Sequence, residues 1–346
     1  MERLRVAIIG AGSIARTAHI PAYLSLPEEV EVVGIYARNP EKGKAVAEAF
    51  GVGSHFSDHL EMLRTLRPDL VSVCVPNRFH ERFTVDALDY GSHVLCEKPP
   101  AISPEAAERM EQAAVKNGRL LSYAFHLRHS RNVAFLKEKV DRGDFGEIYS
   151  ARVSWLRRRG IPGWGSFTDL EVQGGGSLID IGVHMLDLAA YLMGYPEVDH
   201  VCSTAHALIG KRKGVGLMGD WDPLAFTVED ALFGFVRFRS GASLNLETAF
   251  ALNMKEKEHR NLQLFGEHLG ATVFPLETFG EEGDLLTDTQ YPLGEETDLH
   301  GRCVRNMVEA IRGREALLVT AAQGVYIQKL VGMLYESART GKPVIR

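Results

Sequence analysis

The chain has 346 residues, 45% of them apolar and 24% charged, with a net charge of −6. That length exceeds one ordinary hydrophobic core and suits two globular domains. The acidic balance, with no basic run interleaved with aromatics, argues against a nucleic-acid partner, and no stretch approaches the ~20 apolar residues of a membrane span. Cys74, Cys96, Cys202 and Cys303 show no C-x-x-C spacing. Such spacing fits reduced thiols and a cytoplasmic location better than disulfides or zinc, and no metal site is expected.

The first strand is expected at Arg5–Ile9, a short apolar run of the kind buried on both faces. Gly10-Ala11-Gly12-Ser13-Ile14-Ala15 follows at once as G-x-G-x-x-A, the fingerprint of a dinucleotide-binding turn. In this pattern Gly10 allows the turn and Gly12 lets a pyrophosphate approach. Ser13 and Ile14 open the helix whose N-terminus holds the phosphates. A second strand, Glu31–Tyr36, ends at Ala37-Arg38, where an NAD-preferring site carries a carboxylate for the ribose. Its absence, and the cation of Arg38, shift the expectation toward NADP(H) over NAD(H). The alternative is a solvated Arg38, or one lying flat on the adenine.

Strand and helix patterns then alternate: helices over 40–50 and 58–66, a strand over Asp69–Val75, a helix up to Gly91 and a strand over His93–Cys96. The alternation predicts a doubly wound parallel sheet, which binds ligands beyond the carboxyl ends of its strands. Pro76, Asn77 and His80 follow one strand end, and Glu97-Lys98-Pro99-Pro100 follows another. These residues are expected to line the cofactor crevice, although Asn77 and His80 also suit simple turn and cap roles. Lys98 stands on a stiff proline-flanked backbone. It is either a substrate-directed lysine with a lowered proton affinity or a surface lysine before the next helix.

The segment 123–128 marks the crossing between two expected domains, a Rossmann domain over 1–124 and an α/β domain over 125–346. Strand patterns at 148–158, 198–208, 230–238, 242–251, 260–265 and 271–276 predict a mainly antiparallel sheet. Its free face would suit a homodimer or homotetramer interface. Arg157–Gly165 is a loop by its Gly and Pro content that leads directly to the triple-glycine helix, so it is a candidate substrate wall or lid, with Trp164 on it placed to line that wall or simply to pack.

Gly174-Gly175-Gly176-Ser177-Leu178-Ile179-Asp180-Ile181-Gly182-Val183-His184 then enters a helical period. Ser177 and Asp180 form an S-x-x-D capping pattern. Asp180 and His184, one turn apart, share a helix face, and Gly182 between them leaves room for something flat. The alternative is an ordinary capped helix with an interior histidine. Two further helix patterns, 299–311 and 320–339, close the chain, and their packing partner is not set by their periodicity.

Taken together, Gly10-x-Gly12-x-x-Ala15, Glu97-Lys98-Pro99 and the Gly174–Asp187 stretch resemble the glucose–fructose oxidoreductase / inositol dehydrogenase (Gfo/Idh/MocA) family. The resemblance implies a Rossmann domain followed by an α/β domain with a large open sheet, a nicotinamide cofactor, and a sugar, inositol or related polyol as substrate. By position it makes Lys98 the catalytic lysine and Asp180 with His184 the substrate-side pair, His184 being the proton acceptor. It also implies a cis peptide before Pro99. Arg128 and Trp164 are expected among the substrate-binding residues. The expected reaction is hydride transfer between the cofactor and a secondary alcohol. A glycoside hydrolase working through transient oxidation and a cofactor-bound sensor stand as alternatives.

Overall fold

The first sheet contains β1 (Leu4–Ile9), β2 (Val30–Tyr36), β3 (His55–Phe56), β4 (Leu70–Val73), β5 (His93–Cys96) and β6 (Leu121–Tyr123). All six run parallel in the order β3-β2-β1-β4-β5-β6, so the strand order reverses at β1 and β4. Val6 to Ile9 are fully buried because helices cover both faces of the sheet. Each large aliphatic side chain so buried contributes roughly 1.5–3 kcal/mol. The helices are α1 (Ile20–Leu24), α2 (Pro40–Phe50), α3 (His59–Leu66), α4 (His80–Asp89) and α5 (Pro104–Asn117). Asn39, Asp58 and Ser103 cap α2, α3 and α5 through side-chain oxygens, as short polar residues do before a proline or an amphipathic run.

The computed structural model describes residues 2–292, 294 and 296–346. It divides into two compact units, one of residues up to 126 with 297–328, the other of residues 127–296 with 329–346. The second unit begins with α6 (Arg131–Asp141), the strand β7 (Ile148–Arg157) and the short α7 (Leu170–Gln173). A π turn over Leu178–Gly182 runs into α8 (Val183–Leu192). Then come β8 (Val198–His206), β9 (Ala231–Phe238), β10 (Ser243–Ala249), β11 (Glu258–Gly266), β12 (Gly270–Thr272), β13 (Glu277–Glu282) and β14 (Leu285–Gln290). After α9 (Leu299–Ile311) and α10 (Ala321–Thr340), β15 (Val344–Ile345) completes a nine-stranded sheet ordered β14-β13-β12-β11-β7-β10-β9-β8-β15. Every pairing is antiparallel except β10 with β7.

One face of this sheet is covered: Val153, Leu246, Leu262 and Leu264 are buried on it, and α8 packs over β7 and β11. The opposite face carries Phe233, Phe235, Phe265 and Phe279 among polar residues such as the Arg152–Glu247 ion pair at 3.1 Å. The hairpin of β13 and β14 is largely exposed, including Leu285 and Leu286, and had no strand pattern in the sequence. It is held by backbone pairing rather than by a buried face.

Residues 297–328 cluster with the first unit, so of the two terminal helix patterns whose packing the sequence left open, 299–311 returns to the first unit. The cause is the apolar stripe of α9. Cys303, Val304, Met307 and Val308 join the core that contains Val6, Ile8, Ile20 and Tyr23. No helix among the described residues is long and apolar enough to cross a membrane.

Candidate active-site residues

In the first unit the turn after β1 fits a dinucleotide. Gly10 has φ +117°, and a Cβ there would lie 2.2 Å from the carbonyl oxygen of Cys74, so no other residue serves. At Gly12 an added Cβ would meet only that same oxygen, at 4.0 Å. Its glycine therefore leaves the backbone uncovered rather than relieving a clash. Ser13 is exposed and Ile14 half-buried at the start of the helix, where free N–H groups favour an anion. The helix opens out as a π turn over Ala15–His19, which its sequence period does not show.

At the end of β2, Ala37 is buried and Arg38 exposed. A Cβ on Gly43 of α2 would sit 3.2 Å from that of Ala37, so glycine there lets α2 approach the end of β2 closely. Pro76 is exposed and Asn77 opens a short 3₁₀ turn.

His80 is corrected. It is fully buried, its Nδ1 2.8 Å from the Pro99 oxygen and its Nε2 2.9 Å from the Val75 oxygen. With both nitrogens facing backbone carbonyls it ties two strand-end segments together and has no edge left for a cofactor. Burial lowers its proton affinity, against the pull of both carbonyls.

Glu97 and Lys98 follow β5, and the Lys98–Pro99 peptide is cis. Glu97 is buried. His19 Nε2 donates to its Oε1 at 2.8 Å, and the Lys98 backbone N–H donates to its Oε2 at 3.1 Å. The chain of contacts continues from His19 Nδ1 to Ser72 Oγ at 3.1 Å and on to the Tyr23 hydroxyl at 2.8 Å. Burial opposes the charge of Glu97, but the His19 hydrogen bond and nearby positive charge outweigh it, and the carboxyl falls to about 2. Glu97 is thus an ionised anchor beneath Lys98, which is half-buried. His126 stacks on His300 at 4.0 Å beside this anchor, and burial pushes His126 down to about 3. His19, Ser72, Tyr23, His126 and His300 come together only in three dimensions, and no spacing in the sequence marks them.

In the second unit the glycine run serves packing and capping. A Cβ on Gly176 would lie 2.0 Å from the Glu229 oxygen. The Glu229 carboxylate accepts from Gly176 N–H at 2.8 Å, Leu178 N–H at 2.9 Å and the Tyr335 hydroxyl at 3.0 Å. Glu229 therefore caps the helix. Ser177 instead donates to the Thr248 oxygen at 3.4 Å, so the expected S-x-x-D cap is not formed. Gly182 leaves no open space either, since a Cβ there would meet Thr248 at 3.1 Å, and the glycine lets the π turn lie close on β10.

Asp180 sits half-buried in the π turn and His184 is buried in the first turn of α8. The His184 ring lies 5.8 Å from the Trp155 ring. A π turn widens the helix by one residue, a feature frequent at functional sites.

Arg128 is corrected as well. It is fully buried and forms a bidentate ion pair with Asp187, with its Nε 2.7 Å from Oδ2. Its guanidinium lies 5.0 Å from the Tyr191 ring and 5.6 Å from the Tyr195 ring. Having no exposed N–H, it holds α8 in place and cannot reach a substrate. Trp164 is 52% exposed on its loop, which is pinned by Leu217 N–H to Arg159 O at 2.8 Å and Gly163 N–H to Met218 O at 2.9 Å.

A parallel sheet with a glycine turn at its strand-order reversal defines a dinucleotide-binding oxidoreductase unit. The second unit adds an α/β layer with a carboxylate and an imidazole on one helix. The family model described as oxidoreductase family, NAD-binding Rossmann fold, matches residues 4–125, and its C-terminal alpha/beta domain model matches residues 137–345. The chain belongs to the Gfo/Idh/MocA oxidoreductase family.

D-glucoside 3-dehydrogenase of Escherichia coli (strain K12) is 43% identical over 342 residues, covering 99% of this chain and 97% of the relative. Levoglucosan dehydrogenase of Pseudarthrobacter phenanthrenivorans is 29% identical over 71% of this chain and 67% of its own length. Among solved structures, a levoglucosan dehydrogenase in complex with NADH and levoglucosan shares the fold with TM-score 0.86 over 99% of both chains, at 22% identity.

Proposed function

We propose that the protein reversibly oxidises a secondary hydroxyl of a glucoside-like sugar, at carbon 3, with NAD(H) or NADP(H). The likeness along the whole chain to a D-glucoside 3-dehydrogenase carries this reading. The glycine turn fits the cofactor, because Gly12 leaves backbone uncovered where a phosphate would approach. When bound, the nicotinamide supplies the hydride chemistry. In this reading His184 takes the hydroxyl proton as general base, and Lys98 is the catalytic lysine presented by the cofactor-binding unit. Asp180 binds a neighbouring hydroxyl and orients the ring. Glu97 and His80 hold the Lys98 segment, and Glu229 holds the helix that presents His184. Trp164 offers a stacking surface to the sugar. The phenylalanine-bearing face of the nine-stranded sheet is the surface for a homodimer or homotetramer.

The test follows nicotinamide absorbance with each cofactor over a panel of methyl glucosides, free sugars, inositols and their keto forms. Net reduced cofactor with a 3-keto product supports the reading. Release of an aglycone with no net cofactor change would instead show hydrolysis through transient oxidation.

A further inference from the structure

The strand register places a charged cluster beside His184. Trp155 pairs with Arg260 across β7 and β11, and Arg157 pairs with Glu258. All four side chains lie on the sheet face that α8 covers, one step beyond the buried Val153–Leu262 pair. Trp155 packs on the His184 ring and donates from Nε1 to Glu258 Oε1 at 2.8 Å. Arg157 Nε donates to that same oxygen at 3.2 Å, so Glu258 is occupied by both.

Arg260 is different. Its guanidinium is 5.1 Å from the Trp155 ring and 4.4 Å from the Phe274 ring, and it is only half-exposed. Among the described residues it has no carboxylate or carbonyl bonded to it. The two ring contacts hold the guanidinium and, among the described residues, leave its N–H donors without an acceptor. Two guanidinium groups and one carboxylate leave the cluster with a charge of one unit positive. Burial pulls Arg260 below its ordinary value, with Glu258 opposing that pull.

We propose that Arg260, steadied by Trp155 and Phe274, recognises an acidic substituent of the sugar, a carboxylate or a phosphate. This rests on the dehydrogenase reading for the sugar itself. The N–H fork of a guanidinium matches two oxygens of either group, and partial burial strengthens the pair. Trp155 lies against His184 and Arg260 against Trp155, so the acidic group would sit on the Trp155 side of the site.

The test is calorimetric titration of the protein saturated with cofactor, using methyl α-D-glucoside, methyl α-D-glucuronide and glucose 6-phosphate. The wild-type protein should bind at least one acidic sugar about tenfold or more tightly than the neutral one, and the two acidic arms tell carboxylate from phosphate. Arg260→Met should cut that acid-to-neutral ratio about ten- to a hundredfold, the size of a lost charge-assisted bond. Arg260→Lys should fall between. Glu258→Gln removes the cluster's carboxylate and should raise the ratio, which keeps the proposal testable if Arg260→Met folds poorly. Equal binding of neutral and acidic sugars by the wild-type protein, or equal losses for all three with Arg260→Met, overturns the proposal. Turnover of the neutral sugar with no acid preference overturns the acid site alone. Arg260-dependent acid binding with no turnover of any sugar overturns the dehydrogenase reading and leaves the acid site standing.

Discussion

The Lys98 segment and the His184 helix are anchored by different chemistry. In the first unit the anchors are imidazoles: His19 on Glu97, and His80 between the Val75 and Pro99 carbonyls. In the second the anchor beneath α8 is a guanidinium, Arg128 on Asp187. Burial holds the His80 imidazole below its ordinary proton affinity, so acid that charges it weakens the anchor, whereas a guanidinium stays charged at every pH a protein survives. The first unit should therefore respond to mild acid, and the second to mutation of its ion pair.

The largest effects come from removing the group that each half presents. His184→Asn should lower turnover by about 10²–10⁴ as a lost general base, and Lys98→Met by about a hundredfold or more. Cofactor affinity should stay within a few-fold of wild type in both. Near-wild-type turnover of His184→Asn from pH 6 to 9 would make His184 a packed helix residue.

Arg128→Ala should destabilise the protein by about 3–5 kcal/mol, since it leaves Asp187 buried and unpaired. Urea denaturation reads this loss. Unchanged stability with a raised KM for sugar would restore Arg128 to the substrate.

Acid sensitivity sharpens the comparison further. The folded value of His126, about 3, lies below its ordinary 6.5 because it is buried, so its stabilisation is complete above pH 6.5 and is lost as pH falls toward 3. Glu97, lowered to about 2, loses its contribution only below about pH 4.5. Between pH 7 and 5 the buried imidazoles account for the change, about 2 kcal/mol of it from His126, with His300 and His80 lowered by burial in the same direction. His126→Gln should flatten the stability profile across that window, and a profile as steep as wild type would remove His126 as its source.

The smallest effect concerns cofactor choice. Arg38→Ala should weaken NADP(H) by about tenfold, the low end for a charge-assisted bond on an exposed side chain, and leave NAD(H) nearly unaffected. Equal losses for both cofactors would take Arg38 away from the 2′-phosphate.

The sequence alone carried the parallel sheet, the Gly10–Ala15 turn, the Glu97-Lys98-Pro99 segment and the Asp180/His184 helix. Each is a local pattern in which backbone geometry and residue type are tied within a few positions. Gly10 has to be glycine because of its φ and the Cys74 carbonyl, and that requirement shows as a motif. The roles of His80 and Arg128 were misread, because exposure is decided by what packs on a side chain. A buried carbonyl-bound imidazole and a solvent-facing one look the same in a string of letters. Glu229 as the cap, α9 as part of the first unit, and the Trp155–Arg260 pairing depend on contacts between distant segments. Only the register of the nine-stranded sheet and the shape of the two cores decided them, because burial and electrostatics act through space and leave no periodicity in the chain.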